Sequence, residues 1–181
     1  MDDPAYTALK RLREGNDRFV TGRERPKLTP AERTSLVAGQ RPWAVVIGCS
    51  DSRAPVETVF DAGPGELFVV RSAGHVLSEA GYASVLYAVD ALGARLVVIL
   101  GHEGCGAVEA ARDGHAPDYL KPVTDHIHTD ADTLSGAVDQ HVRESTAEMR
   151  EWLAGAGFTA GGVTVIGAAY ALASGEVHWL A

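Results

Sequence analysis

Two short apolar runs, Trp43 to Ile47 and Leu96 to Leu100, each give way to a polar cluster holding one of the chain's only two cysteines. The first leads into Cys49-Ser50-Asp51-Ser52-Arg53, the second into His102-Glu103-Gly104-Cys105. Each run reads as a strand, and each cluster as the turn at its carboxyl end. In an open α/β sheet, ligands bind just outside the carboxyl ends of the strands. If these two strands are neighbours, the thiols, the imidazole and a carboxylate meet at one point.

The rest of the chain supplies the helices such a sheet needs. Residues 4–20 place Tyr6, Leu9, Leu12, Phe19 and Val20 at near-helical spacing among charged residues, an amphipathic helix ending near Gly22. Thr29-Pro30-Ala31-Glu32 starts a second helix, with a hydroxyl cap and proline at the first position, running to about Ala38-Gly39. Strand one is expected at 42–48. Strand two spans Glu66 to Arg71, after the turn Gly63-Pro64-Gly65. A helix from Ser78 to Leu92 closes at Gly93, strand three runs Arg95 to Gly101, and a short helix starts near Cys105. Residues 113–135 carry mixed turn signals, and residues 136–154 read as helix. Gly161-Gly162 leads into a last parallel strand, Val163 to Gly167, and Glu176 to Leu180 forms a short terminal strand. Alternating strands and helices predict an α/β fold: a mostly parallel central sheet, about four parallel strands plus a C-terminal edge strand, flanked by helices. We read residues 1–181 as a single domain with an N-terminal helical arm at about 4–39.

Charge narrows the partners. The net charge of −8 argues against nucleic acid or an anionic membrane as the main partner. No apolar run approaches the roughly 20 residues a membrane-spanning helix needs, and Met1-Asp2-Asp3-Pro4 lacks the pattern of a signal peptide. The expected location is the cytoplasm, where a disulfide is a poor use for Cys49 and Cys105.

Two thiolates and one imidazole make a good zinc set, leaving a fourth position for water or for Asp51. Asp51 has a second suitor in Arg53, whose guanidinium grips carboxylates bidentately. A closed structural site rarely uses a ligand so placed; paired with Arg53, Asp51 frees the fourth position and accepts a hydrogen bond from zinc-bound water. Zinc with two thiolates and an imidazole is formally neutral, so it acidifies its water less than a dipositive centre does. The expectation is an activity that rises through mildly alkaline pH, with Asp51 assisting. A thiol redox protein fits poorly, because no Cys-x-x-Cys is present.

These residues closely resemble the β-class carbonic anhydrases, along nearly the whole chain. The resemblance covers Leu9-Lys10-Arg11-Leu12-Arg13-Glu14-Gly15-Asn16, Gly39-Gln40-Arg41-Pro42 and Cys49-Ser50-Asp51-Ser52-Arg53. It continues through Gly65-Glu66-Leu67-Phe68-Val69-Val70-Arg71 and Gly101-His102-Glu103-Gly104-Cys105-Gly106-Ala107-Val108. It implies reversible hydration of carbon dioxide to bicarbonate and a proton by zinc-bound hydroxide, with one Zn2+ per chain. The implied zinc ligands are Cys49, His102 and Cys105; the implied dyad is Asp51 and Arg53. Gln40, Phe68 and Tyr87 would line a substrate pocket at a dimer interface, with the Gly106 amide as a donor to substrate oxygen. The implied assembly is a homodimer or a dimer of dimers. A related hydrolase of carbon disulfide or carbonyl sulfide, and a non-catalytic zinc protein of the same fold, are the alternatives.

Other residues receive plainer readings. His75 is expected to be a hydrogen-bonded packing residue near a subunit interface rather than a proton shuttle. Leu86 stands where relatives often carry a polar side chain. Val46 occupies the place of a tryptophan found in bicarbonate-regulated members, which favours water on zinc at rest. His126 and His128 read as part of a solvated acidic loop, and Arg23 to Lys27 as a solvated basic one. Trp43, Trp152 and Trp179 are expected to pack.

Overall fold

The computed structural model describes residues 3–26, 28–158 and 162–180. Met1, Asp2, Lys27 and Gly161, which enter the sequence reading, lie outside the described residues. Helix α1, Pro4–Val20, is capped by the Asp3 carboxylate, which accepts from the Ala5 amide at 2.9 Å. Helix α2, Pro30–Ser35, begins with a capping box: the Thr29 hydroxyl accepts from the Glu32 amide, and the Glu32 carboxylate accepts from the Thr29 amide. It tightens into a single 3-10 turn at Leu36–Ala38, so only the last part of the second predicted helix is not α. Strand β1, Ala44–Cys49, is followed by the four-residue helix α3, Val56–Val59, and by strand β2, Leu67–Ser72. Helix α4 spans Glu79–Asp90, strand β3 Leu96–His102 and helix α5 Gly106–Asp113. The stretch with mixed turn signals holds a turn at Asp118–Leu120 and the short helix α6, Lys121–Thr124. Helix α7, Leu134–Gly155, then leads to β4, Thr164–Tyr170, and β5, Val177–Leu180.

The five strands form one sheet in the order β2-β1-β3-β4-β5. The first four pair in parallel, and β5 runs antiparallel at the edge, as the alternation predicted. Alternating residues of the central strands feed two cores. Val45 and Ile47 of β1 join Val97 and Ile99 of β3 under α4, α5 and α7. Ala44 and Val46 join Leu96, Val98 and Leu100 under α1 and α3. Strands covered on both faces carry continuous apolar runs, which is why the sequence shows runs rather than alternation here.

The strand order also locates the site. From β1 the chain crosses to β2 on one side, then returns past β1 to β3 on the other. The order of strand addition thus reverses at β1, and the carboxyl ends of β1 and β3 lie at the point where such sheets place ligands. Cys49 and His102 are the last residues of these two strands.

Several polar side chains fasten the periphery to this frame. Buried Asn16 donates to the carbonyls of Val59 and Gly175 at 3.1 and 2.8 Å and accepts from the Val177 amide at 2.9 Å, tying α1 to α3 and β5. Arg25 lies in an exposed loop, as expected, and there pairs with Glu66 and donates to the Asp61 carbonyl. The carboxylates that hold it are brought there by the fold, far away in sequence. The three tryptophans pack: Trp43 under the Arg11 guanidinium, Trp152 against Tyr82, and Trp179 against Phe60.

Candidate metal centre

Each member of the Cys-His-Cys set is placed by the end of an element. Cys49 and His102 end β1 and β3, and Cys105 is the residue that caps α5. Their ligand atoms all lie within 4.8 Å of one another, and the three residues are buried. Tetrahedral zinc with sulfur and nitrogen ligands needs such atoms roughly 3.5–3.8 Å apart, so small adjustments suffice. Among the described residues this is the one group of three or more histidine, cysteine or acidic residues so arranged. His126 and His128, both exposed, are not in such a group.

The protonation pattern also fits a cation. The Cys49 thiol is drawn far below its ordinary pKa, first by a hydrogen bond from the Cys105 thiol, against the effect of burial. Hydrogen bonds from the Asp51 and Gly74 amides, which lie 3.4 and 3.3 Å from the sulfur, add to this. Cys105 is pushed up for the complementary reason, as it keeps the proton the pair shares. The Nδ1 of His102 lies 2.8 Å from the Glu103 carbonyl, which accepts its proton. That leaves Nε2 facing the thiols, buried and without a hydrogen-bond partner among the described residues. A buried orphan nitrogen beside two thiols that share a proton is a donor set suited to zinc.

Asp51 borders this triangle, its Oδ2 3.8 Å from His102 Nε2. It is held by Arg53 at three points: Nε to Oδ1 at 3.0 Å, Nη2 to Oδ2 at 2.7 Å, and the amide to Oδ1 at 2.9 Å. Arg53 Nη2 also donates to the Gly104 carbonyl at 3.1 Å, joining the two clusters. These bonds hold the Asp51 carboxyl far below the usual carboxylate range.

A carbonic anhydrase family model matches residues 44–177. The chain belongs to the β-carbonic anhydrase family. Carbonic anhydrase 2 of Mycobacterium tuberculosis is 40% identical, the match covering 93% of this chain and 89% of the relative. The carbonic anhydrase of Mycolicibacterium smegmatis is 41% identical over 94% of this chain and 91% of its own length. Among solved structures, a tetrameric β-carbonic anhydrase from Sordaria macrospora is 26% identical, with a TM-score of 0.69 over 84% of this chain and 87% of that one. The enzyme's activity is therefore that of a carbonic anhydrase, acting on carbon dioxide and bicarbonate.

The expected pocket residues of this carbonic anhydrase occupy less concentrated positions. Phe68 on β2 lies beside Tyr87 on α4, their rings 6.3 Å apart. Phe68 pairs with Val45, whereas Cys49 pairs with Ser72. At about 3.3 Å per residue, Phe68 sits roughly 13 Å back along the sheet from the thiols. Gln40 is exposed in the stretch before β1. Gly106 opens α5, where the first amides have no partner within the helix. A Cβ added there would meet only open space.

His75 departs from expectation. It is buried and stacked on His141, but neither ring nitrogen has a hydrogen-bond partner among the described residues. Burial, with the nearby His141 and His102, keeps it neutral. Its partner comes from α7, too far away in sequence for local pattern to reveal.

Sequence reasoning also passed over Arg71 as more than a motif residue. From β2 its Nε donates to the Cys49 carbonyl at 2.9 Å, and its Nη2 to the Asp51 and Ala54 carbonyls at 2.8 and 3.4 Å. One guanidinium thus braces the turn that carries Cys49, Asp51 and Arg53. The only signal in sequence is an arginine at the end of an apolar strand, where a fixed cation must find acceptors.

Proposed function

We propose that this carbonic anhydrase hydrates carbon dioxide at one zinc ion per chain, held by Cys49, His102 and Cys105 and assisted by an Asp51–Arg53 dyad. The observation that carries the reading is the Arg53-held carboxylate of Asp51 beside the unpartnered Nε2 of His102. When bound, zinc supplies the Lewis acidity that makes water a nucleophile near neutral pH. Cys49 and Cys105 would bind as thiolates and His102 through Nε2, its ring oriented by the Glu103 carbonyl. Asp51, kept ionised by Arg53, accepts a hydrogen bond from the reacting water and orients it toward the substrate carbon. Arg53 stays charged and keeps Asp51 in place. The Gly106 amide at the start of α5 donates to the substrate oxygen as negative charge develops.

Carbon dioxide is apolar and favours a dry wall, while nascent bicarbonate needs donors. Phe68 and Tyr87 supply the wall and Gln40 a donor. The distance of Phe68 from Cys49 along the sheet supports a pocket shared between two copies, hence a homodimer or dimer of dimers. Two free cysteines acting as ligands suit a reducing compartment such as the cytoplasm.

Stopped-flow hydration at about pH 8.4, a choice set by a weakly acidified water, tests this together with zinc content. The expected result is fast hydration with about one zinc per chain. Asp51→Asn should lose about 10²-fold or more in turnover while retaining the metal. Full zinc occupancy without hydration at any pH up to about 9 would sink the mechanism, and carbon disulfide and carbonyl sulfide would then be tried as substrates.

A further inference from the structure

Between β2 and α4 the chain turns through Gly74 and His75, with φ of 59° and 49°. Two consecutive residues thus occupy the left-handed region, which glycine enters freely and histidine does not. A non-glycine residue stays there only when its surroundings hold it. The surroundings here come from α7. Its His141 donates from Nε2 to the Gly74 carbonyl at 2.9 Å, and its ring stacks on His75 with centroids 4.3 Å apart and planes 24° apart. From the same turn the Gly74 amide donates to the Cys49 sulfur at 3.3 Å. Gly74 is also close-packed: an added Cβ would meet Ile127 and Ala107 at 3.0 and 3.1 Å. Turn, sulfur and α7 histidine therefore form one continuous chain of contacts.

We propose that His141 is a positioning residue for the metal ligand Cys49. By holding the Gly74 carbonyl and stacking on His75, it locks the left-handed turn that aims the Gly74 amide at the sulfur. His141 is buried and its pKa is lowered, chiefly by that burial, so the ring is neutral with its proton on Nε2, as a carbonyl acceptor requires. The amide in turn fixes the direction of the thiolate and takes up part of its charge. Partners of this kind alter metal affinity typically 10–100-fold when removed.

The inference rests on the zinc reading, and two variants with two readouts separate it from that reading. His141→Phe keeps a ring for His75 but loses the donor; His141→Gln keeps a donor and loses the ring. In folded protein, checked by thermal unfolding, His141→Phe is expected to release zinc to a chelator about tenfold faster, with His141→Gln recovering much of the loss. In wild-type protein loaded with an NMR-active cadmium isotope, the Gly74 amide proton should show scalar coupling to the metal through the sulfur, and His141→Phe should weaken it. Absence of that coupling in cadmium-loaded wild type overturns the proposal, and this readout decides if His141→Phe does not fold. Unchanged zinc release by folded His141→Phe overturns it too. A wild-type chain that binds neither zinc nor cadmium overturns the zinc reading and this inference with it.

Discussion

Asp51, proposed to assist the reaction, also bears on the stability of the fold. Three hydrogen bonds from Arg53 reach its carboxylate, and they depress its pKa in the folded state. A carboxyl with a depressed folded pKa contributes stability above its unfolded pKa of about 3.9. That contribution is lost as pH falls through the folded value. In the metal-free protein, Asp51→Asn should therefore lower the thermal midpoint by a nearly constant amount between about pH 5 and 8. The gap should close as the pH drops below about 4. Calorimetry across this range checks it, and a gap that widened on acidification would contradict the pairing. Asp51 is also already ionised throughout the mildly alkaline range. An activity that rises there is therefore not the titration of this carboxylate.

At the scale of elements, a strand and a helix each reach across to a turn outside themselves. Arg71, from β2, ties down three carbonyls of the turn after β1, including those of Cys49 and Asp51. Arg71→Met keeps much of the stem and removes every donor, so zinc affinity and hydration should each fall about 10–100-fold. Arg71→Lys should recover only part of this, since an ammonium cannot span the carbonyls with a planar fork. Zinc competition and kcat/KM on both variants test the brace; full activity in Arg71→Met would dismiss it. Element boundaries show why some of this stayed hidden. The sequence pattern for β4 stopped at Gly167, but the strand runs on to Tyr170. At Gly167 helix α7 lies close: an added Cβ would meet Val142 at 2.8 Å and Thr146 at 3.0 Å. A glycine that reads locally as a break is a packing requirement. The short helices α3 and α6 were missed because four residues carry barely one turn of periodicity.

At the scale of the whole molecule, β2 forms an edge of the sheet, with Phe68 on it and the 52% exposed Tyr87 beside it. If a second copy completes the pocket here, hydration per zinc should fall on dilution in step with dimer dissociation in sedimentation. Turnover that stayed constant while monomer accumulated would refute a shared pocket. The sequence by itself determined the α/β class, the parallel sheet with its terminal edge strand, and the residue types of the candidate centre. Those depend on local quantities: the length of an apolar run, the residue types in the following turn, and the spacing of Cys49 to Arg53 and of His102 to Cys105. Only the tertiary structure decided that β1 and β3 are neighbours, which brings residues about fifty positions apart within ligand distance. It alone placed Arg71 against the Cys49 carbonyl, His141 against the Gly74 carbonyl, and the Glu66 and Asp61 carboxylates beside Arg25. Strand order and helix packing are settled by burying both faces of the sheet at once, and no local window of sequence carries that condition.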